Sequence, residues 1–173
     1  MVYETSAGIP ESRLSAWLKD AAKKYGTFND GRVDYTNADS APVVMCTIYC
    51  QDKILLAKRG TGLADAEGYW STINGFIDED KPVKQIAAQE FMEELGLDVD
   101  PKSVKVASSY TVQNPKERRS YIVFPCLVVL DKRPKIKLDW EHTDSVWIDR
   151  HELESYHILE DLPRVIDAAL ALL

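Results

Sequence analysis

The residues best suited to chemistry in this chain are three glutamates, Glu90, Glu93 and Glu94, close to the end of a segment running from Pro82 to Leu95. Val83, Ala87, Phe91 and Leu95 recur every four residues there and Gly96 follows as a stop, which predicts a helix. At about 100° per residue the three acids share one arc of roughly 100°, beside the apolar stripe and not opposite it. Carboxylates at i, i+3 and i, i+4 repel one another, and the negative end of the helix dipole lies close by. A divalent cation reverses both penalties, because hard cations such as Mg²⁺ take carboxylate oxygens. The competing reading is a solvated acidic face, the usual state of a Glu-rich helix.

The residues ahead of the helix favour the metal. Trp70 to Glu79 read as a strand entering a glycine turn, which brings main-chain carbonyls and the helix start toward the same place as the acids. From Gly75 onward the sequence resembles the Nudix hydrolase family, whose box reads G-x5-E-x7-R-E-U-x-E-E-x-G-U, U being a bulky apolar residue. Gly75 takes the first position, and Gln89-Glu90-Phe91-Met92-Glu93-Glu94-Leu95-Gly96-Leu97 take the last nine. Two positions depart: Lys81 stands where the family has its first Glu, and Gln89 where it has Arg.

The resemblance covers Ala41 to about Leu172 and implies an α/β fold, a Nudix-type α/β/α sandwich with a mixed sheet. It implies Mg²⁺ or Mn²⁺ as cofactor, with Glu90 and Glu94 as principal ligands, Glu93 as a further ligand or general base, and the Gly75 carbonyl as a ligand from the loop. The implied reaction is hydrolysis of a pyrophosphate link in a nucleoside diphosphate joined to another group. Gln in place of Arg offers a neutral hydrogen bond, roughly half as strong as a charged pair. That leaves open a second reading, a Nudix-fold module that binds or senses a nucleotide without hydrolysing it. A third, an isomerase of isoprenyl diphosphates on the same fold, wants a cysteine facing the glutamates, which Cys46, Cys50 and Cys126 do not supply convincingly.

For the substrate, Arg59 and the turn holding Lys116, Arg118 and Arg119 could meet phosphates, while Tyr69, Trp70 and Tyr110 could stack on a base. Of these, Arg59, Tyr69 and Trp70 are the preferred binding set. Against them stands the ordinary behaviour of basic turns, which are solvated, and of strand aromatics, which are core. His142, His151 and His157 show no ligand spacing and read as surface residues.

Several elements must position these side chains. Leu14, Trp17, Leu18, Ala21, Ala22 and Tyr25 follow i, i+3, i+4 spacing between Pro10 and Gly26, which predicts an N-terminal amphipathic helix. Its stripe covers either its own domain, the simpler reading, or a second copy in a homodimer. Thr27 to Ser40 is polar and turn-rich and reads as a connector, so residues 1–40 are divided from a main domain at 41–173. Strands are predicted at Pro42–Tyr49, Lys53–Lys58, Tyr69–Ile77, Val104–Gln113, Ser120–Leu130 and Ser145–Ile148, the fifth central because both its faces are apolar. A helical turn at Arg150–Ser155 and a closing helix at Asp161–Leu172 complete the pattern.

Composition sets the outer limits. The 173 residues carry a formal net charge of −7 and are 45% hydrophobic, ordinary for one globular domain and unsuited to counterion displacement from a nucleic-acid polymer. The expected partner is a small nucleotide-type molecule. No apolar run approaches a membrane span and no basic-then-apolar leader opens the chain, so a cytoplasmic location is expected. The three cysteines lie in strand-like apolar runs without CxxC spacing and read as buried free thiols.

Overall fold

The computed structural model describes residues 5–62, 66–114 and 118–173. Its centre is a pair of long parallel strands, β2 (Ser40–Cys50) and β8 (Arg119–Val129), in register from Ser40 opposite Ser120 to Tyr49 opposite Val129. Both are apolar on both faces. Alternate residues divide cleanly: Val44, Cys46 and Ile48 with Phe124, Cys126 and Val128 enter one core, while Met45 and Val123 enter another. The first core is covered by α1 (Leu14–Tyr25) and α2 (Val83–Leu95), the second by α3 (Leu162–Leu170). The result is an α/β/α sandwich on a mixed sheet.

The feature that matters for function is a fork beside β2. Its first half pairs with β5 (Ile73–Phe76), and only its last two residues pair with β3 (Lys53–Arg59). Beyond that point β3 leaves β2 and takes β4 (Trp70–Ser71) and β9 (His142–Ile148) as antiparallel neighbours. The segment expected as one strand, Tyr69–Ile77, is therefore two short strands on opposite arms of the fork, parted at Thr72. The other split strand has a different cause. Val104–Gln113 divides into β6 (Lys105–Val106) and β7 (Tyr110–Asn114), both against β8, because the pairing slips by one residue near Pro125, which has no N–H to give the ladder.

The N-terminal segment is tied to the sandwich throughout. A short β1 (Thr5–Ala7) extends the sheet beyond β7, an element the sequence pattern did not indicate. Leu14, Leu18 and Ala21 of α1 are buried in the core that α2 covers. Helix α2 begins after Pro82 with no cap of its own, and Glu11 Oε1 supplies one by accepting from Val83 N at 3.0 Å. The connector is no loose tether: Val33, Tyr35 and Ala38 are buried, and Arg119 donates from Nε to Ala38 O at 2.9 Å and from Nη2 to Tyr35 O at 2.7 Å. All three cysteines are free and buried. Among the described residues no helix is long and apolar enough to cross a membrane.

Candidate active site

The acids of α2 meet the fork at β5. Ile73 faces the α2 core, so by strand alternation Gly75 faces it too, and the Glu90 carboxyl lies directly over the Gly75 Cα. A Cβ at Gly75 would overlap that carboxyl, so glycine here is a matter of space rather than of turn geometry. Ile77 N donates to Pro42 O at 2.9 Å, making that pair the hydrogen-bonded kind. Alternation then turns the Gly75 carbonyl toward Val44 of β2 and the Asn74 carbonyl toward the open edge of β5. Of the two, Asn74 carries the main-chain oxygen available to a ligand in the fork.

Glu94 is 4% exposed, and its Oε2 has no hydrogen-bond partner among the described residues. Burial, then Glu90, Glu141 and Asp139, push its carboxyl up to about 10, with Arg59 offsetting part of the effect. Glu90 is pushed up to about 8, first by burial and next by Glu93, while a hydrogen bond with Glu94 works the other way. Two carboxyls one turn apart are thus held protonated by surroundings that would favour a cation between them. Glu93 is exposed and accepts a bond from Gln89 Nε2 at 2.9 Å.

Behind Glu94 stands a residue read from sequence as a surface group. His142 is 6% exposed, with Nε2 3.5 Å from Glu94 Oε2 and Nδ1 3.2 Å from Asp139 Oδ1. The expectation fails because Asp139 N binds Glu94 O at 3.1 Å and Gly60 N binds Glu141 O at 2.7 Å, folding Asp139 to His142 down onto the end of α2. The run Asp139-Trp140-Glu141-His142, three titratable groups just before a strand, was the available signal.

The three glutamates of α2 and Glu141 border a cavity of about 1110 Å³ that fills the fork. Arg59 and Tyr69 line it as expected from sequence, as do Glu90, Glu93, Glu94 and Gly75. Trp70 does not: it is half-buried in β4, edge-on to Tyr156 at 5.4 Å, because the residue after Tyr69 points to the other face of its strand. Tyr110 is 6% exposed, bonded through its hydroxyl to Asp161 and covered by Arg164 at 4.0 Å. The guanidinium of Arg119 lines the cavity but is engaged with connector carbonyls, Arg118 is exposed, and Lys116 lies outside the described residues. Sequence reasoning missed Arg32, Phe76, Tyr121 and Glu141, all in the cavity wall. A second cavity, of about 420 Å³, lies between the N-terminal segment and the β6–β7 turn; its one acid, Glu11, is already the cap of α2.

A sequence model of the NUDIX domain matches residues 39–168. The chain belongs to the NUDIX domain family. Solved structures with the same Nudix fold include the Escherichia coli ORF135 protein, at 25% identity over 78% of this chain and 91% of that one, with a TM-score of 0.61. The NUDIX domain of Shewanella oneidensis NrtR, solved with ADP ribose, aligns at 15% identity over 76% and 87% with a TM-score of 0.62. A bifunctional NMN adenylyltransferase/ADP ribose pyrophosphatase from Francisella tularensis, solved with AMP and a Mn ion, aligns over 93% of this chain at 18% identity and a TM-score of 0.65, this chain spanning 47% of its length. A search of curated proteins finds no match.

Within the Nudix box, the two departures prove to be partners. Lys81 Nζ lies 3.4 Å from Gln89 Oε1 and 2.6 Å from Glu79 Oε2. Lys81 and Gln89 thus link the loop to the helix, and Glu79 balances the lysine's charge. The chain of contacts continues to Glu93 through Gln89.

Proposed function

We propose that the chain hydrolyses the pyrophosphate link of a nucleoside diphosphate joined to another group, with Mg²⁺ or Mn²⁺ held by Glu90 and Glu94. The observation that carries this reading is the Glu90–Glu94 pair, buried one turn apart in the wall of a cavity large enough for a nucleotide conjugate, with burial pushing both carboxyls above their usual range. Among the described residues no three acidic, histidine or cysteine side chains are closed into a metal cage. The fit rests instead on the unpartnered Glu94 Oε2, on an all-oxygen donor set, and on Glu93 and Glu141 close by. Such a metal supplies a lowered water pKa and neutralises charge on the phosphoryl oxygens.

The chain's own residues do the rest. Glu93, exposed and steadied by Gln89, is a further ligand or takes the proton of the attacking water. Arg59 lies close enough to Glu94 to oppose its charge, which sets a guanidinium where phosphate oxygens would rest. The edge of β5 turned away from β2, with the Asn74 carbonyl, would supply the third side.

Incubation with a panel of nucleoside diphosphate conjugates and Mg²⁺ or Mn²⁺, with Glu90→Gln alongside, tests this. Turnover on one conjugate that vanishes in the variant is the expected result. Nucleotide binding without turnover on any conjugate favours the non-catalytic sensor, the reading that Lys81 and Gln89 keep in play.

A further inference from the structure

From the wall of the cavity, and resting on the diphosphate reading above, we infer that Phe76 is the stacking platform for the nucleobase, or a planar ring of similar size, and that the N-terminal segment builds this platform. Phe76 follows Gly75 on β5 and so faces away from the Glu90 side. It is 41% exposed, at the rim of a cavity where a planar ring could cover it. Its ring is held by two others, Tyr35 at 5.5 Å and 37° and Tyr121 at 6.5 Å and 34°. Tyr121 lines the same cavity.

The second aromatic pair of the cavity is a poorer candidate. Tyr69 and His157 already lie against each other, with centroids 3.8 Å apart, so each has one ring face covered. Phe76 stands farther from its neighbours, at 5.5 and 6.5 Å between centroids, and keeps exposed surface at the cavity. The placement is braced: the Tyr35 hydroxyl donates to Ile77 O at 2.8 Å, Val33 N donates to Asp78 O at 2.9 Å, and Arg119 holds the Tyr35 carbonyl at 2.7 Å. Tyr35 and Val33 precede the residues matched by the family model, which begin at 39, so the brace behind Phe76 comes from outside the matched domain while Phe76 and Tyr121 lie within it.

The test separates ring from diphosphate with two hydrolysis-proof probes in Mg²⁺, adenosine 5′-(α,β-methylene)diphosphate and methylenediphosphonate, titrated calorimetrically into the full chain. The wild type should bind the adenosine compound roughly 5- to 150-fold tighter, the span that base–aromatic stacking gives. Phe76→Ala should erase most of that ratio while leaving methylenediphosphonate affinity unchanged, which also reports an intact fold. Phe76→Tyr should keep the ratio, and Tyr35→Phe should reduce it by loosening the brace. An unchanged ratio in Phe76→Ala overturns the platform, as does equal affinity for both probes in the wild type. Failure of either probe to bind the wild type instead overturns the diphosphate reading beneath it.

Discussion

Replacing Glu94 with glutamine should flatten the pH dependence of the metal-free protein's stability. Glu94 and Glu90 are held at about 10 and about 8, against an ordinary value of 4.5, chiefly by burial. The folded chain therefore keeps protons that the unfolded chain releases, so stability is full below pH 4.5 and drains away as pH climbs toward 8 and then 10. Each pH unit in that window removes about 1.4 kcal/mol per retained proton, so between pH 5 and pH 8 a proton held by the coupled pair accounts for on the order of 4 kcal/mol. In a domain of this size that is a fall in Tm of roughly 10 °C. Glutamine is the neutral isostere of the protonated acid, so Glu94→Gln should match the wild type near pH 5 and exceed it by about that amount at pH 8. Thermal denaturation by circular dichroism in EDTA at the two pH values measures both. Groups other than the coupled Glu90 titrate alike in the two proteins, so parallel curves would refute the claim that the Glu90–Glu94 pair holds a buried proton. Saturating Mg²⁺ should raise the wild-type Tm more at pH 8 than at pH 6, since binding must displace protons, and should do little for the variant.

Other consequences are open to the same instruments. Gly75→Ala places a Cβ inside the Glu90 carboxyl and should weaken Mn²⁺ binding, read by electron paramagnetic resonance, at least tenfold while secondary structure stays intact. Gln89→Arg alone sets a second cation beside Lys81 and should not raise turnover, whereas Lys81→Glu with Gln89→Arg restores a charged pair, with a coupling of about 0.5–3 kcal/mol in a double-mutant cycle of chemical denaturation. His142→Ala empties a buried position between Asp139 and Glu94 and should lower stability by about 1–3 kcal/mol. Arg119→Ala frees the carbonyls of Tyr35, Thr36 and Ala38, and should speed amide exchange at Val33 to Ala38 ahead of the core.

Elements whose own side-chain pattern declares which faces are buried were legible in the sequence. The four-residue repeat of α2 and the two-faced apolarity of β8 each carry their own partner information, so helix and central strand emerge as read. Strand ends did not, because they are decided by neighbours. Nothing in Tyr69 to Ile77 says that Trp70 will pair with Lys58 while Gly75 pairs with Val44; the break at Thr72 exists only because two different strands compete for the segment. Thr27 to Ser40 read only as a connector because its polar residues outnumber the apolar ones. Three buried side chains and three main-chain bonds to one arginine suffice to fix it, and that arginine lies some eighty residues away.

The same distinction explains the site. Glu90, Glu93 and Glu94 sit on one helix, where spacing alone sets their mutual geometry, so their convergence could be read from the chain. His142 and Glu141 join them from the start of a distant strand, and Phe76 takes its place from Tyr35 in the connector and Tyr121 on β8. Chemistry that a fold concentrates in one element is visible in sequence, while recognition assembled across a fork in the sheet is not. That asymmetry has a mechanistic reading here. The acids, fixed by one helix, can stay constant across a family whose members meet different molecules. The ring-binding wall draws on a segment outside the matched domain, so it can change without disturbing the carboxylates. Substituting Phe76 should therefore alter which conjugate is preferred while the metal requirement set by Glu90 and Glu94 persists, and a variant that lost both together would show that the two halves of the cavity are one unit after all.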